Sequence, residues 1–109
     1  MEFKLLYITA ANADEAERIA EALVVERLAA CANILPGVAS IYRWRGKVER
    51  ANEVVVIAKT HGDLADAAIA LVKRIHSYDV PGVVTLPIDA GNSDYLRWLA
   101  EETGRPIAL

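Results

Sequence analysis

Along the first quarter of the chain, a continuous apolar run is followed by a stretch in which apolar residues recur at a regular spacing. Residues 3–9 are almost entirely apolar or aromatic, which is typical of a buried strand. Apolar residues then recur every three to four positions, and Asn12 and Glu15 have the spacing of a capping box. The pattern therefore predicts a strand followed by a helix that ends near Leu28.

The middle of the chain predicts a β-hairpin with unusually long arms. Residues 30–35 form a short apolar strand, which Pro36 and Gly37 are expected to break or bend. The next residues alternate between two faces up to a tight turn at Gly46, and residues 47–59 return from polar to apolar. One face of the outgoing arm carries Val38, Ser40, Tyr42 and Trp44.

The last part predicts a second helix, a strand and a C-terminal helix. Thr60 and Asp63 bracket the start of the second helix, and His61 beside them is expected to be solvated. This helix must end before Pro81, because a residue that precedes proline avoids the helical region. Residues 83–88 follow as a strand. The final helix is capped by Asn92, carries Tyr95, Leu96, Trp98 and Leu99, and ends at Gly104 and Pro106.

The order of these elements predicts an α+β fold, a ferredoxin-like β-α-β-β-α-β sandwich with a long β-hairpin and a C-terminal helix. We expect residues 1–109 to form a single domain. The first two helices would cover one face of the sheet, and little of the chain is left to cover the other. The uncovered face and the exposed edges of the hairpin both favour a homo-oligomer.

Composition narrows the classes of partner. The formal net charge is −3, which does not favour nucleic acid or an anionic membrane as a partner. Cys31 is the single cysteine, so no intrachain disulfide can form. The chain opens directly into a strand-like stretch, and its apolar runs are too short to span a bilayer. We therefore expect a soluble cytoplasmic protein.

Two residues are candidate metal ligands. Cys31 follows small residues in a strand, so it is either a packed small hydrophobe or a soft ligand suited to Cu(I). His76 follows the second helix, so it either interacts with the helix C-terminus or donates its imidazole to Cu(II) or Zn(II). Tyr78 and Asp79 would add a phenol and a carboxylate nearby. No zinc-ribbon, H-E-x-x-H or EF-hand spacing occurs.

The sequence does not predict an enzyme. Nucleophile-elbow and phosphate-loop motifs are absent, and no nucleophile has a recognisable base. Tyr42 and Trp44 on the hairpin are either packing anchors between subunits or a wall on which a ligand stacks. The neighbouring basic residues either hold an anion or keep the hairpin tip soluble; they are Arg43, Arg45, Lys47 and Arg50.

Several segments together resemble the CutA divalent-cation tolerance proteins. They are ERLAACANILPGVASIYRWRGKV at 26–48, KT at 59–60, HSYDVP at 76–81, LPI at 86–88 and YLRWL at 95–99. The similarity covers essentially the whole chain. It implies a ferredoxin-like homotrimer related in architecture to the PII signalling proteins. It also implies a cytoplasmic protein linked to tolerance of divalent cations, copper above all.

The resemblance also implies where a metal could bind. Copper has been proposed to bind relatives through a cysteine on the first strand and two adjacent histidines after the second helix. Only His76 matches these positions here, because Ile8 and Ile75 occupy the other two. In the run that follows, Ser77 and Gly82 replace the family's proline and glutamate. Cys31 matches the family's second-strand cysteine.

Two hypotheses about function follow, beside a third in which the protein is a purely structural trimer. The first is a trimeric metal-responsive binding protein that binds copper or a similar cation, with His76 and Cys31 as candidate ligands. It requires no other cofactor. The second is a PII-like sensor of a small organic or anionic ligand at clefts between subunits. In that case the cleft would be lined or bordered by Tyr42, Trp44, Lys59 and Tyr78.

Overall fold

A computed structural model describes residues 2–104 and shows a four-stranded antiparallel sheet with three helices. The strands are β1 (Phe3–Ala10), β2 (Cys31–Trp44), β3 (Lys47–His61) and β4 (Val83–Ile88). The helices are α1 (Ala13–Val25), α2 (Ala65–Ile75) and α3 (Ser93–Glu102), and a 3-10 turn, Gly62–Leu64, precedes α2. The strand order β2-β3-β1-β4 confirms the predicted ferredoxin-like α+β fold. Pro106, the predicted helix stop, lies outside the described residues.

The main core lies between one face of the sheet and the helices α1 and α2. Side chains alternate along a strand, so Leu6 and Ile8 of β1 share a face with Val56 of β3. These residues are fully buried together with Leu23 of α1 and Val72 of α2. The single apolar stripe of each helix therefore has the sheet as its partner, as the periodicity predicted. None of the helices between residues 2 and 104 is long and apolar enough to cross a membrane.

The opposite face of the sheet is covered only at one end. There α3 packs Leu99 and Ala100 against Phe3 and Ala30. The rest of this face, called here the open face, carries large apolar side chains that remain exposed. They are Tyr7 (39%), Leu35 (42%), Val84 (58%) and Leu86 (45%).

Helix α1 ends three residues earlier than its apolar spacing predicted. Its last residue is Val25 rather than one near Leu28. Arg27 takes a left-handed conformation with φ of 57°, and the N–H of Leu28 returns to the carbonyl of Leu23 at 2.9 Å. This hydrogen bond closes the helix C-terminus, so Leu28 packs against the core from outside the helix.

The break predicted at Pro36 and Gly37 is a β-bulge within one continuous strand. The register changes from Leu35 opposite Val55 to Val38 opposite Glu53, so β2 contains one extra residue. Gly37 has a φ of 75°, a conformation that a residue without Cβ adopts at no steric cost. The bulge places Val38, Ser40, Tyr42 and Trp44 on the same side of the sheet as Leu35.

The prediction that His61 is solvated is wrong. Strand β3 extends two residues beyond Lys59, so His61 pairs with Phe3 and only 6% of it is exposed. Its Nδ1 accepts the backbone N–H of Asp63 at 3.1 Å and starts the 3-10 turn. Its Nε2 has no hydrogen-bond partner among residues 2–104.

Candidate functional site

A cleft of about 680 Å³ lies between the hairpin formed by β2 and β3 and the segment 78–82, which follows α2. This volume is typical of small-molecule sites. We call it the hairpin cleft. Its lining comprises Tyr7, Thr9, Val38, Ala39, Ser40, Ile41, Tyr42, Trp44, Glu53, Tyr78, Asp79, Val80 and Gly82.

Local strand geometry explains the hairpin side of the cleft. Tyr42 and Trp44 are two residues apart on β2, so both rings project to one side, and they are 44% and 40% exposed. The turn that follows uses Arg45 and Gly46 with φ of 50° and 82°. Two positive φ angles match the twist of a two-residue hairpin and keep the long arms paired up to Trp44.

The deepest charged group of the cleft is Glu53. It is 8% exposed, and its Oε2 accepts the hydroxyl of Tyr78 at 2.9 Å. Burial, followed by the hydrogen bond to Glu53 and the charge of that carboxylate, raises the pKa of Tyr78 to about 12. The phenol therefore stays protonated at neutral pH and keeps segment 78–82 attached to β3.

The side chain of His76 lies behind this wall and is fully buried. Its Nδ1 accepts the backbone N–H of Tyr78 at 3.0 Å, so Nε2 must carry the proton that it shares with the carbonyl of Thr9 at 2.7 Å. The imidazole thus uses both ring nitrogens within the chain. A metal could bind either nitrogen only after one of these hydrogen bonds broke.

Glu15 completes the buried contacts around His76. It is 2% exposed, and its two carboxylate oxygens accept the backbone N–H groups of Ala11 at 3.0 Å and Ser77 at 2.8 Å. Burial raises the pKa of Glu15, but hydrogen bonds from Ala11 and Ser77 outweigh it and hold the pKa below its ordinary value of 4.5. We call Glu15, His76, Ser77 and Tyr78 the Glu15–His76 network.

A second group of interacting side chains lies at the α3 end of the open face. The hydroxyl of Tyr95 is 3.3 Å from Sγ of Cys31 and 3.3 Å from Nζ of Lys59. The Lys59 ammonium also donates to Asn33 Oδ1 at 3.4 Å, and the Tyr95 ring stacks on Trp98 at 5.6 Å. The hydrogen bond with Cys31 and burial raise the pKa of Tyr95, while Lys59 opposes them. We call these five residues the Tyr95 cluster.

The structure separates the predicted site residues into these regions. Tyr42, Trp44 and Tyr78 line one cleft of this chain, whereas the sensor hypothesis placed its ligand at clefts between subunits. Lys59 does not line it and instead joins Cys31 in the Tyr95 cluster. Cys31 is half-buried rather than packed inside. Within residues 2–104, no three His, Cys, Asp or Glu side chains converge as a metal site would require.

Two partners were missed by sequence reasoning. Glu15 was recognised only as a helix cap, although its second oxygen holds Ser77, 62 positions away. Tyr95 was placed on the apolar stripe of α3, and its contact with Cys31 spans 64 positions. The sequence contained one chemical indication of this contact, because the phenol of Tyr95 at the edge of an apolar stripe needs a polar partner.

Comparisons with known proteins point to one family over most of the chain. A family model described as CutA1 divalent ion tolerance protein matches residues 4–102. The chain is 46% identical over 101 residues to the divalent-cation tolerance protein CutA of Thermus thermophilus, covering 93% of this chain and 98% of that protein. It is also 46% identical over 99 residues to the chloroplastic protein CutA 1 of rice, covering 91% of this chain.

The rice relative is longer, and the matched region spans only 56% of its length. A solved structure of the Thermus thermophilus protein superposes with a TM-score of 0.91 at 46% identity and covers 94% of this chain and 99% of that one. The family model and the Thermus thermophilus relative are both named as tolerance proteins for divalent ions. Sequence and fold together show that this chain belongs to the CutA1 divalent ion tolerance protein family.

Proposed function

We propose that this protein acts in divalent-cation tolerance as a ligand-binding sensor and not as an enzyme, and that its ligand occupies the hairpin cleft where subunits of a homo-oligomer meet. The observation that carries the proposal is the convergence of Tyr42, Trp44 and Tyr78 on one cleft of about 680 Å³. Aromatic walls with a few polar groups are typical of small-molecule sites. The part-buried hydrogen bond between Tyr78 and Glu53 supports a preformed wall.

Thermal-shift screening against metabolites and divalent cations tests the proposal. A ligand that binds the folded state at a hundred times its dissociation constant adds about 2.7 kcal/mol to stability. We expect at least one compound to raise the melting temperature of the wild type and to lose that effect in Tyr42→Leu. A matched variant outside the cleft, Tyr95→Leu, should keep it. Loss in both variants would contradict the assignment to the hairpin cleft.

We further propose a cytoplasmic homotrimer whose subunits are single domains spanning residues 1–109. The open face supports assembly, because Tyr7, Leu35, Val84 and Leu86 expose apolar surface on one side of the sheet. Strands β2 and β4 are the sheet edges and offer unpaired backbone groups. Light scattering after size exclusion should give the mass of three chains. The mass of one chain at micromolar concentration would contradict assembly.

Direct copper binding is the second candidate function. The partial exposure of Cys31 supports it, since an accessible thiolate suits Cu(I). His76 could join a copper site only by giving up its bond to Tyr78 or Thr9. Calorimetric titration with Cu(II), and with Cu(I) under reducing conditions, should weaken in Cys31→Ser or His76→Ala if these residues are ligands. Isotherms identical to the wild type would remove both from the proposal.

A further inference from the structure

Helix α3 is attached to the sheet by a small core of its own. Its buried residues Leu99 and Ala100 pack against Phe3 and Ala30. Among residues 2–104, no side chain of α3 belongs to the main core, which lies on the other face of the sheet. Because buried apolar area provides most of the free energy that holds an element in place, α3 is held less tightly than α1 or α2.

Several polar contacts between α3 and the rest of the chain are open to solvent. The hydroxyl of Tyr95 lies 3.3 Å from both Sγ of Cys31 and Nζ of Lys59. Nη1 of Arg27 donates to the carbonyl of Glu102 at 3.4 Å. Water can replace each of these contacts when the helix moves away, so they contribute little to its attachment.

The helix has polar partners of its own at both ends. Oδ1 of Asn92 accepts the N–H of Asp94 at 2.9 Å. The hydroxyl of Thr103 donates within the helix, to the carbonyl of Leu99 at 3.0 Å. Residues 89–92, which connect β4 to α3, have no regular secondary structure. They form a hinge about which α3 can leave the sheet without breaking its own caps.

A buried polar group at this end of the sheet opposes the docking of α3. His61 is the register partner of Phe3, so both side chains lie on the sheet face that α3 covers. Only 6% of His61 is exposed, and its ring meets that of Phe3 edge to face at 5.9 Å. Nδ1 accepts the N–H of Asp63, so Nε2 carries the ring proton, and no residue between 2 and 104 accepts it. Burying a donor without an acceptor costs free energy, and this cost disappears when α3 leaves and water reaches the ring.

We infer that α3 is a hinged flap that leaves and rejoins the sheet while the rest of the fold stays intact, and that the unpaired Nε2–H of His61 favours the open form. Opening bares Phe3, Ala30 and Cys31 at this end of the sheet. The fold thus contains a conformational switch that is separate from the hairpin cleft and does not depend on the ligand proposed there.

Native-state hydrogen exchange of the full chain in its solution assembly tests the flap, under conditions in which the exchange rate reports the free energy of opening. We expect the protection of amides 97–102 to be at least about tenfold below that of β1 and α1, whose amides are released only by global unfolding. Equal protection would mean that α3 is held in the assembled protein by more than the contacts of its own chain, and the inference would be wrong.

The variant Ile19→Val separates the flap from the main core. Ile19 of α1 is fully buried in that core, and loss of one methylene group should lower the protection of amides in α1 and β1 about tenfold. The same change should leave the protection of α3 amides as it is, because the main core is intact in both the docked and the open form. Equal losses in α3 and α1 would show that α3 opens only with the whole fold, which contradicts the inference.

The variant His61→Phe tests the role of the buried donor. Phenylalanine keeps an aromatic ring beside Phe3 and removes the Nε2–H, so the protection of α3 amides should rise about tenfold. The variant also loses the acceptor of the Asp63 N–H, but that loss is common to the docked and open forms and cancels in the opening equilibrium. Circular dichroism verifies folding. Unchanged α3 protection would refute the role assigned to His61.

Discussion

The Glu15–His76 network and the Tyr95 cluster contain similar chemistry in opposite environments. The network joins α1, β1 and the segment after α2, and the side chains of Glu15 and His76 are at most 2% exposed. The Tyr95 cluster joins β2, β3 and α3 through contacts that remain open to solvent. Hydrogen bonds of similar length therefore have different consequences, because a buried group that loses its partner finds no water to replace it.

The largest effect is expected at Glu15. Glu15→Ala removes a carboxylate that is 2% exposed, leaves the part-buried N–H groups of Ala11 and Ser77 without their acceptor, and should cost about 3 kcal/mol in the free energy of unfolding. Glu17→Ala, an exposed position of the same helix, is the control and should change stability by less than about 0.5 kcal/mol. Urea denaturation measures both. Equal effects would contradict the difference between buried and exposed contacts.

The contribution of Glu15 should also depend on pH. Because the pKa of Glu15 is lowered in the folded state, the unfolded chain binds its proton first as pH falls. The stabilisation is fully present above the unfolded value, near 4.5, and is lost as pH falls through the folded pKa. The difference in unfolding free energy between wild type and Glu15→Gln should therefore shrink below pH 4.5. A constant difference would contradict a charged Glu15.

The next effect is expected at His76. His76→Ala removes the acceptor for the Tyr78 N–H and the donor to Thr9, and should cost about 2 kcal/mol in unfolding free energy. His76→Asn should cost about half as much, because an asparagine oxygen can accept the N–H of the residue two positions on. Urea denaturation distinguishes the two variants. If His76→Asn costs as much unfolding free energy as His76→Ala, His76 does not stabilise the fold through its hydrogen bond with Tyr78.

A smaller effect is expected where Gly82 meets Thr9 at the edge of the cleft. A Cβ at position 82 would lie 2.8 Å from Oγ1 of Thr9, so Gly82→Ala should destabilise by about 1 kcal/mol. Thr9→Ala removes the obstructing hydroxyl, and the double variant should recover most of that loss. A double-mutant cycle measures the coupling. Additive losses would show that steric overlap is not the cause.

The smallest effect is expected in the Tyr95 cluster. Tyr95→Phe removes the hydroxyl shared by Cys31 and Lys59, yet it should change the unfolding free energy by less than about 0.5 kcal/mol. Water can replace the lost contacts at this exposed position. Tyr78→Phe is the matched change in the other region and should cost more, because it leaves Glu53 buried without its donor. A larger loss of unfolding free energy in Tyr95→Phe than in Tyr78→Phe would contradict the expected difference between the two regions.

Sequence periodicity predicted the elements of the fold because each helix has one apolar stripe and each strand one dominant period. The capping box at Asn12 and Glu15 was predicted for the same reason, since its partners are three residues apart and form the observed hydrogen bond. Chemistry alone singled out Tyr42, Trp44, Lys59 and Tyr78 as ligand candidates, and whether they bind a ligand stays a prediction. The fold brings Tyr42, Trp44 and Tyr78 to the hairpin cleft and Lys59 to the Tyr95 cluster, which no spacing along the chain indicated.

The pattern of residues along the chain was thus sufficient to predict the strands and helices, the order in which they follow one another, and the family. Only the tertiary structure decided which side chains meet. The bulge between Leu35 and Val38 turns Tyr42 and Trp44 to the open face, and its exact register depends on pairing with β3. The burial of His76 depends on Thr9 and Glu15, both more than 60 residues away in sequence. Such contacts depend on how distant elements pack, and no local pattern encodes them.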